Sequence, residues 1–122
     1  CYYFEDVDWS VKARRAGLRT VEAQDAGAFH KVASTMGRKS AQSLYYRSRN
    51  HLLFAGKHPE KAHYLSLLLY YIVCVVLKET LMYAWRGFFG DTRVNFKRAA
   101  AILRGFADFC LKRFGPGPEW IK

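Results

Sequence analysis

The chain has 122 residues, a formal net charge of +10 and 16% aromatic residues, which leaves room for one domain. Basicity on this scale points to nucleic acid or an anionic membrane surface. Most of the aromatics sit inside apolar runs rather than alternating with arginine, which excludes a base-stacking platform and favours the membrane surface. The charge is lopsided: residues 1–30 hold four Lys/Arg against five Asp/Glu, and residues 31–122 hold sixteen against five. Cys1, Cys74 and Cys110 are odd in number and widely spaced. No CxxC or Cys/His spacing supports a metal site, so reduced, mostly buried thiols in a cytosolic setting are expected.

In chain order, the first feature is Tyr2-Tyr3-Phe4-Glu5-Asp6-Val7-Asp8-Trp9. It starts at what reads as the middle of a strand, as in a piece cut from a longer protein. Glu5, Asp6 and Asp8 repel one another, and their apolar neighbours draw them towards a core where unpaired charge is costly. Such clusters persist where a cation, a proton in transit or a helix N-terminus uses them. Asp8 is expected to cap a helix over 8–16, with Trp9, Ala13 and Ala16 on one face, Arg14 and Arg15 in the last turn, and Gly17 ending it. Glu5 and Asp6 are then left for function, at a strand-to-helix junction of the kind where α/β folds place their chemistry.

Residues 18–22 alternate as a strand does, 25–27 form a turn, and 28–31 form a second short extended piece that delivers His30. Residues 32–39 have no period and carry a glycine, two hydroxyls and basic residues, as a loop does. A helix is expected from residue 40, with Ala41, Leu44, Tyr45, Ser48, Leu52 and Ala55 on one face and Arg47, Asn50 and Lys57 opposite. Gly56 and Pro59 mark its end. Pro59 suits the first turn of a second long helix reaching about Trp85. Its apolar middle, 64–77, spans about 21 Å at ~1.5 Å per residue, short of the ~30 Å hydrocarbon core. Lys78 and Glu79 follow, so a true span requires them to be buried or paired. A buried or membrane-dipping helix is the other reading. Thr92 is expected to cap a third helix to about Phe114. Phe96, Ala99, Ala100, Leu103, Phe106, Ala107 and Cys110 make its apolar stripe, and Lys97, Arg104, Asp108 and Lys112 line its other side. That pattern fits a basic amphipathic helix at a membrane as well as a helix packed on a neighbour. Gly115-Pro116-Gly117-Pro118 ends regular structure, leaving 119–122 as a tail.

The residues at the front make a chemically sensible set. A carboxylate there can take a proton from a hydroxyl nucleophile. His30 can ligate a divalent cation or meet a phosphate oxygen, although a lone histidine near a strand end is more often structural. The following loop can close over an anionic leaving group with Lys31, Ser34, Thr35 and Arg38.

The run Tyr3-Phe4-Glu5-Asp6-Val7-Asp8-Trp9, then Arg14-Arg15-Ala16-Gly17, Ala28-Phe29-His30-Lys31, Tyr45-Tyr46 and Arg49-Asn50 resembles family 2 glycosyltransferases. Within them it is most similar to the rhamnosyltransferase-type enzymes of bacterial surface polysaccharide synthesis. The resemblance covers residues 2 to about 57 well and continues loosely through 99–115. It implies an α/β fragment, mostly α as present: residues 1–39 as the C-terminal part of a GT-A (Rossmann-like) catalytic domain with short strands, and 40–122 as a helical, membrane-associated region of two or three long helices. It implies inverting transfer of a sugar, rhamnose among the candidates, from a nucleotide-diphosphate sugar to a glycan or lipid-linked acceptor. Asp6 would be the general base, with Glu5 beside it and Trp9 on the acceptor side. His30 would hold Mg²⁺ or Mn²⁺ at the departing diphosphate, with Lys31, Ser34, Thr35 and Arg38 in the donor-side loop. The Asp-x-Asp metal motif and the nucleotide-binding strands would lie upstream, so the fragment alone would not turn over. The expected setting is the inner face of a bacterial cell membrane, with no nucleic-acid partner. The competing reading is a non-catalytic basic helical module that binds a membrane surface or a protein.

Overall fold

The computed structural model describes residues 3–27, 29, 39–58 and 64–121, with the backbone alone at Tyr64 and Leu67. The described chain is mostly helical, with no strand. Its elements are α1 (Glu5–Arg15), α2 (Ala41–Lys57), α3 (Tyr64–Tyr71), a π-helical stretch (Ile72–Leu77), α4 (Lys78–Phe89), α5 (Thr92–Cys110) and a closing 3₁₀ turn (Glu119–Ile121). Residues 18–22, expected as a strand, carry no regular structure and are exposed. Alternation without a described partner strand or a face to bury does not hold an extended pairing. Of the second expected extended piece, Phe29 alone is described, and it is exposed without regular structure.

Helix α1 starts three residues earlier than expected. Its N-cap is Phe4, at φ 66°, with no side-chain cap, so Asp8 lies inside the helix rather than capping it. The three acids all fall in the first turn and Lys12, Arg14 and Arg15 in the last, which suits the helix dipole at both ends. Gly17, at φ 79°, ends the helix as expected. Of the predicted face, Ala13 is buried but Trp9 is 64% exposed.

Helix α2 begins on Ser40, whose hydroxyl accepts from the Ser43 backbone N–H at 3.1 Å. It packs along α5 and touches α3, while α4 packs along the other flank of α5. Leu44 and Leu52 of α2 meet Tyr71, Val76, Tyr83, Ala99 and Ile102 in the main core. Backbones approach closely where α2 crosses α5: Ser48 donates to the Ile102 carbonyl at 3.0 Å, and a Cβ on Gly105 would lie 2.5 Å from the Tyr45 carbonyl oxygen.

The long apolar run forms one continuous rod, α3 to α4, interrupted by the π-helical stretch Ile72-Val73-Cys74-Val75-Val76-Leu77. Four β-branched residues crowd that stretch and resist tight winding. The segment Leu68–Phe89 has the length and composition of a membrane-crossing helix, with mean hydropathy 1.4, yet 17% of its apolar window is buried. The buried side is Tyr71, Val76, Tyr83 and Gly87. On the opposite side Leu65, Leu69, Val73, Leu77, Leu81, Trp85 and Phe89, spaced four apart, are each 50–74% exposed. Glu79 is paired with Arg47 of α2, while Lys78 is exposed.

Helix α5 is capped by Asp91, whose carboxylate accepts from the Val94 N–H at 3.2 Å, rather than by Thr92. Its packed face is rotated from the expected stripe. Ala99, Ala101, Ile102, Gly105 and Asp108 are buried, whereas Ala100, Leu103 and Cys110 are exposed. The Cys110 thiol is therefore not the buried one expected. The C-terminal segment is no loose tail: the Gly117 N–H donates to the Tyr46 hydroxyl at 3.0 Å, and Ile121 is buried with Ala41, Tyr45, Tyr46 and Ala101.

Candidate functional site

Tyr3 and Phe4, immediately before the acidic turn, both hold left-handed backbone, at φ 64° and 66°. Neither is a glycine, so each costs about 1–3 kcal/mol and persists only where the surroundings over-determine it. Here side chains of α2 do so. The Tyr3 hydroxyl lies 2.7 Å from Ser43 Oγ. The Phe4 ring sits 4.5 Å from the His51 ring and 5.7 Å from that of Phe54, centroid to centroid. His51 is in turn edge-on to Tyr71 at 4.5 Å, and its burial, helped by the nearby Arg47 charge, lowers its pKa below the ordinary 6.5. The junction is thus a left-handed entry clamped by aromatics, not the strand-to-helix step expected.

One turn on, Asp8 is tied to three side chains, Lys12, Lys57 and His58. Lys12 Nζ lies 2.5 Å from Oδ2, His58 Nε2 donates to Oδ1 at 2.7 Å, and Lys57 Nζ is 3.9 Å away. The hydrogen bonds from Lys12 and His58, then the Lys57 charge, hold the carboxyl down at about 2 against the opposing effect of burial. A carboxylate so stabilised is a poor proton acceptor near neutral pH, and its work is to pin α1 to the C-terminal end of α2.

Glu5 and Asp6 are the remaining acids, and both are exposed. Asp6 Oδ1 accepts from the adjacent Val7 N–H at 2.8 Å, which leaves its other oxygen with no protein donor among the described hydrogen bonds. Glu5 lines an open pocket of about 210 Å³ between the start of α1 and the second half of α2. Tyr3, Phe4, Trp9, Leu53 and Phe54 form apolar wall, and Asp8, Lys12, Lys57 and Asn50 bring polar groups to it. That volume lies below the ~300–1,000 Å³ of drug-sized sites and suits one ring-sized group. Aromatic faces beside a carboxylate and two ammonium groups can hold a hydroxylated ring carrying or adjoining an anion.

Of the sequence-derived candidates, Glu5, Asp8 and Trp9 come together at this pocket, while Asp6 sits on the same turn outside its lining. His30, Lys31, Ser34, Thr35 and Arg38 lie outside the described residues. Among the described residues no three His, Cys, Asp or Glu side chains gather to hold a metal ion. The cation therefore rests on the resemblance alone. Sequence reasoning missed Tyr3, Phe4, Lys57 and His58. Lys12 was missed as well, although its i+4 spacing from Asp8 is a signal; nothing local marks His58, fifty residues away.

Tyr45-Tyr46 and Arg49-Asn50, which contribute to the resemblance, lie elsewhere, in a buried polar network. Arg49 Nη1 donates to the Tyr45 hydroxyl at 3.0 Å and to the Gly115 carbonyl at 2.7 Å, and Arg49 Nε donates to Asn50 Oδ1 at 3.0 Å. The Tyr45 hydroxyl donates to Asp108 Oδ2 at 2.7 Å, and Arg104 Nε reaches both Asp108 oxygens at 3.1 Å. Burial, reinforced by the Asp108 hydrogen bond, raises the Tyr45 phenol to about 12. Asp108, expected on the solvated side of α5, is 3% exposed, and Asn50 is buried as well. This network locks α2, α5 and the C-terminal segment together. Comparisons with protein-family models, curated proteins and solved structures give no match for the chain.

Proposed function

We propose that this chain supplies the acceptor side of an inverting, family 2-type glycosyltransferase working at a membrane surface. The observation that carries the reading is the strained, aromatic-clamped turn that presents Glu5 and Asp6 to solvent beside a ring-sized pocket. Backbone strain of this kind concentrates where function requires a fixed geometry. Asp8 is engaged by Lys12, Lys57 and His58, so the acids with freedom to react are the two that the resemblance singles out.

In this reading the acceptor sugar rests on Trp9 with a hydroxyl turned towards the first turn of α1. The Asp6 carboxylate takes the proton of that hydroxyl as its oxygen attacks the anomeric carbon of the donor. The bond to the nucleoside diphosphate breaks, and the configuration inverts. Glu5 orients the acceptor through a second hydroxyl. Lys31, Ser34, Thr35 and Arg38 attend the diphosphate, and His30 would hold a divalent cation, which when bound offsets the charge of the leaving group. Residues 1–39 then act as the catalytic portion and 40–122 as the helical support.

The test is Asp6→Asn in the complete enzyme, with donor binding and transfer measured separately. Loss of a positioned base is worth about 10²–10⁴-fold in rate, so transfer falls at least a hundredfold while donor affinity holds. Transfer within threefold of the parent would remove the base assignment. Asp8→Asn serves as contrast: it loosens α1 and lowers thermal stability, and its loss of transfer recovers at low temperature where that of Asp6→Asn does not.

The second reading, a non-catalytic membrane-surface module, draws on the exposed apolar side of the α3–α4 rod. Absence of any transfer by the unaltered protein, with vesicle binding intact, would favour it.

A further inference from the structure

Single exposed apolar residues are ordinary, but an unbroken row is not. On a regular α-helix a row spaced by four drifts about 40° per step and winds off any one side within a few turns. The π-helical stretch is wound more loosely than an α-helix and reduces that drift at the middle of the rod. Val73 and Leu77, both inside that stretch, continue the exposed row between the leucines before and the Trp85–Phe89 ring pair after, whose centroids lie 4.7 Å apart. A device that straightens the exposed row serves whatever the row touches.

The neighbouring row of the rod, also spaced by four, carries Tyr70, Cys74, Lys78, Met82 and Arg86, all exposed except the half-buried Cys74. Glu79, the sole acid between residues 64 and 89, is neutralised by Arg47 of α2. The exposed side of the rod is therefore apolar along its crest, cationic and aromatic along its flank, and without free negative charge. Lys and Arg flanking such a crest reach to the headgroups while their stems lie along hydrocarbon. At its far end the surface continues onto α5, where the Phe88 and Phe96 rings meet edge to face at 5.4 Å.

We propose that the α3–α4 rod is the docking surface for an anionic lipid bilayer, lying in the plane of the membrane rather than crossing it. The opposite side of the rod is packed against α2 and α5. A crossing would drag Arg93, Arg98 and Arg104 of α5 and the Arg47–Glu79 pair into hydrocarbon along with Lys78. Lying flat buries the crest alone and leaves α1 and its pocket above the surface, within reach of a membrane-borne acceptor. The inference deepens the membrane-surface part of the function proposed above and does not depend on sugar transfer.

The full chain is floated with vesicles of phosphatidylcholine alone and of phosphatidylcholine mixed with phosphatidylglycerol. It is expected to float strongly with the mixed vesicles and weakly with the neutral ones. Each basic residue near an anionic surface is worth roughly a factor of five, so Lys78→Gln with Arg86→Gln weakens binding to mixed vesicles about 25-fold. Leu77→Gln with Leu81→Gln abolishes flotation on both while leaving the circular dichroism unchanged. Depth is read from a fluorophore on a single cysteine at position 65, 77 or 89, in a chain whose native cysteines are replaced by serine. Equal, shallow quenching by lipid-borne quenchers at all three positions supports docking in the plane. Deep quenching at 77 with shallow ends would mean a span, and would overturn it. So would absence of flotation, or a lipid-free dimer that Leu81→Gln dissociates. None of these readouts involves transfer, so failure here leaves the catalytic reading standing and failure there leaves this one.

Discussion

At Gly105 the absence of a side chain decides how closely two helices approach. A methyl group there would meet the Tyr45 carbonyl at 2.5 Å and Ser48 Cβ at 3.0 Å, and backbone cannot step aside as a flexible side chain can. Gly105→Ala is expected to destabilise the fold by about 1–3 kcal/mol, read as a lower urea midpoint with unchanged slope. Gly87 makes the control, because a Cβ there meets the edge of the Phe96 ring, on a partly exposed side chain. Gly87→Ala should cost clearly less. Equal losses at both positions would show that the α2–α5 spacing is not set at Gly105. Asp108 is the second residue on which this interface turns. Its carboxylate accepts from Tyr45 and Arg104, so Asp108→Ala strands a buried phenol and removes a charged acceptor. Hydrogen bonds to charged groups are worth about 1.5–3 kcal/mol, and a loss of that order in thermal or urea denaturation is expected.

Among the helices, position along the chain was easier to read than orientation. The boundaries of α2 follow from capping and glycine signals that act over a few residues, whereas α4 runs past the expected end near Trp85, through Gly87, to Phe89. Which side of α5 is buried did not follow. Arg104 and Asp108 read as a solvated i, i+4 pair, and only the arrival of Tyr45 from α2, with Arg49 behind it, makes Asp108 an interior residue. Apolar periodicity on α5 identified a stripe that is partly exposed, because the packed side uses small residues, Ala101 and Gly105, that weigh little in any hydropathy pattern. The acidic turn was legible as a place of interest, since three carboxylates in four residues demand an explanation. Its partners were not, because His58 and Lys57 come from the end of another helix and the left-handed entry at Tyr3 and Phe4 has no sequence signal in non-glycine residues. The role of that entry is testable on α1 alone. Phe4→Ala removes the ring that His51 and Phe54 hold, and should raise amide exchange throughout residues 5–15 by tenfold or more while α5 keeps its protection. Unchanged exchange in α1 would mean that Asp8 with Lys12, Lys57 and His58 suffices to dock the helix.

Acid ties these scales together, because two groups with shifted pKa values, His51 and Asp8, sit where α1 meets the bundle and each works through it. His51 is held below its ordinary 6.5 by burial between Phe4 and Tyr71, so the folded chain binds fewer protons than the unfolded one as the pH falls through that value. Stability therefore rises with pH across this window, is complete above it, and declines below it. Asp8 acts in the same direction in a different range. Its pKa is depressed from 3.8 to about 2, so its contribution is intact above pH 3.8 and disappears as the pH falls towards 2. Urea denaturation followed from pH 7.5 to 3 should then show a first loss beginning near 6.5 and a second below 4. His51→Phe keeps an aromatic ring between its neighbours and has no proton to take up, so it should flatten the first loss and leave the second in place. Asp8→Asn should do the reverse, starting from lower stability at neutral pH because Lys12, Lys57 and His58 lose their common acceptor. If His51→Phe retains the parent's slope between pH 7 and 5, the proton responsible is bound elsewhere, and the clamp on Phe4 is not what senses acid. The distinction matters for the pocket, since Tyr3, Phe4 and Glu5 stand on that clamp. A chain whose clamp loosens first on mild acidification should lose the ring-sized pocket while the α2–α5 core, held by Arg49, Tyr45 and Asp108, stays folded.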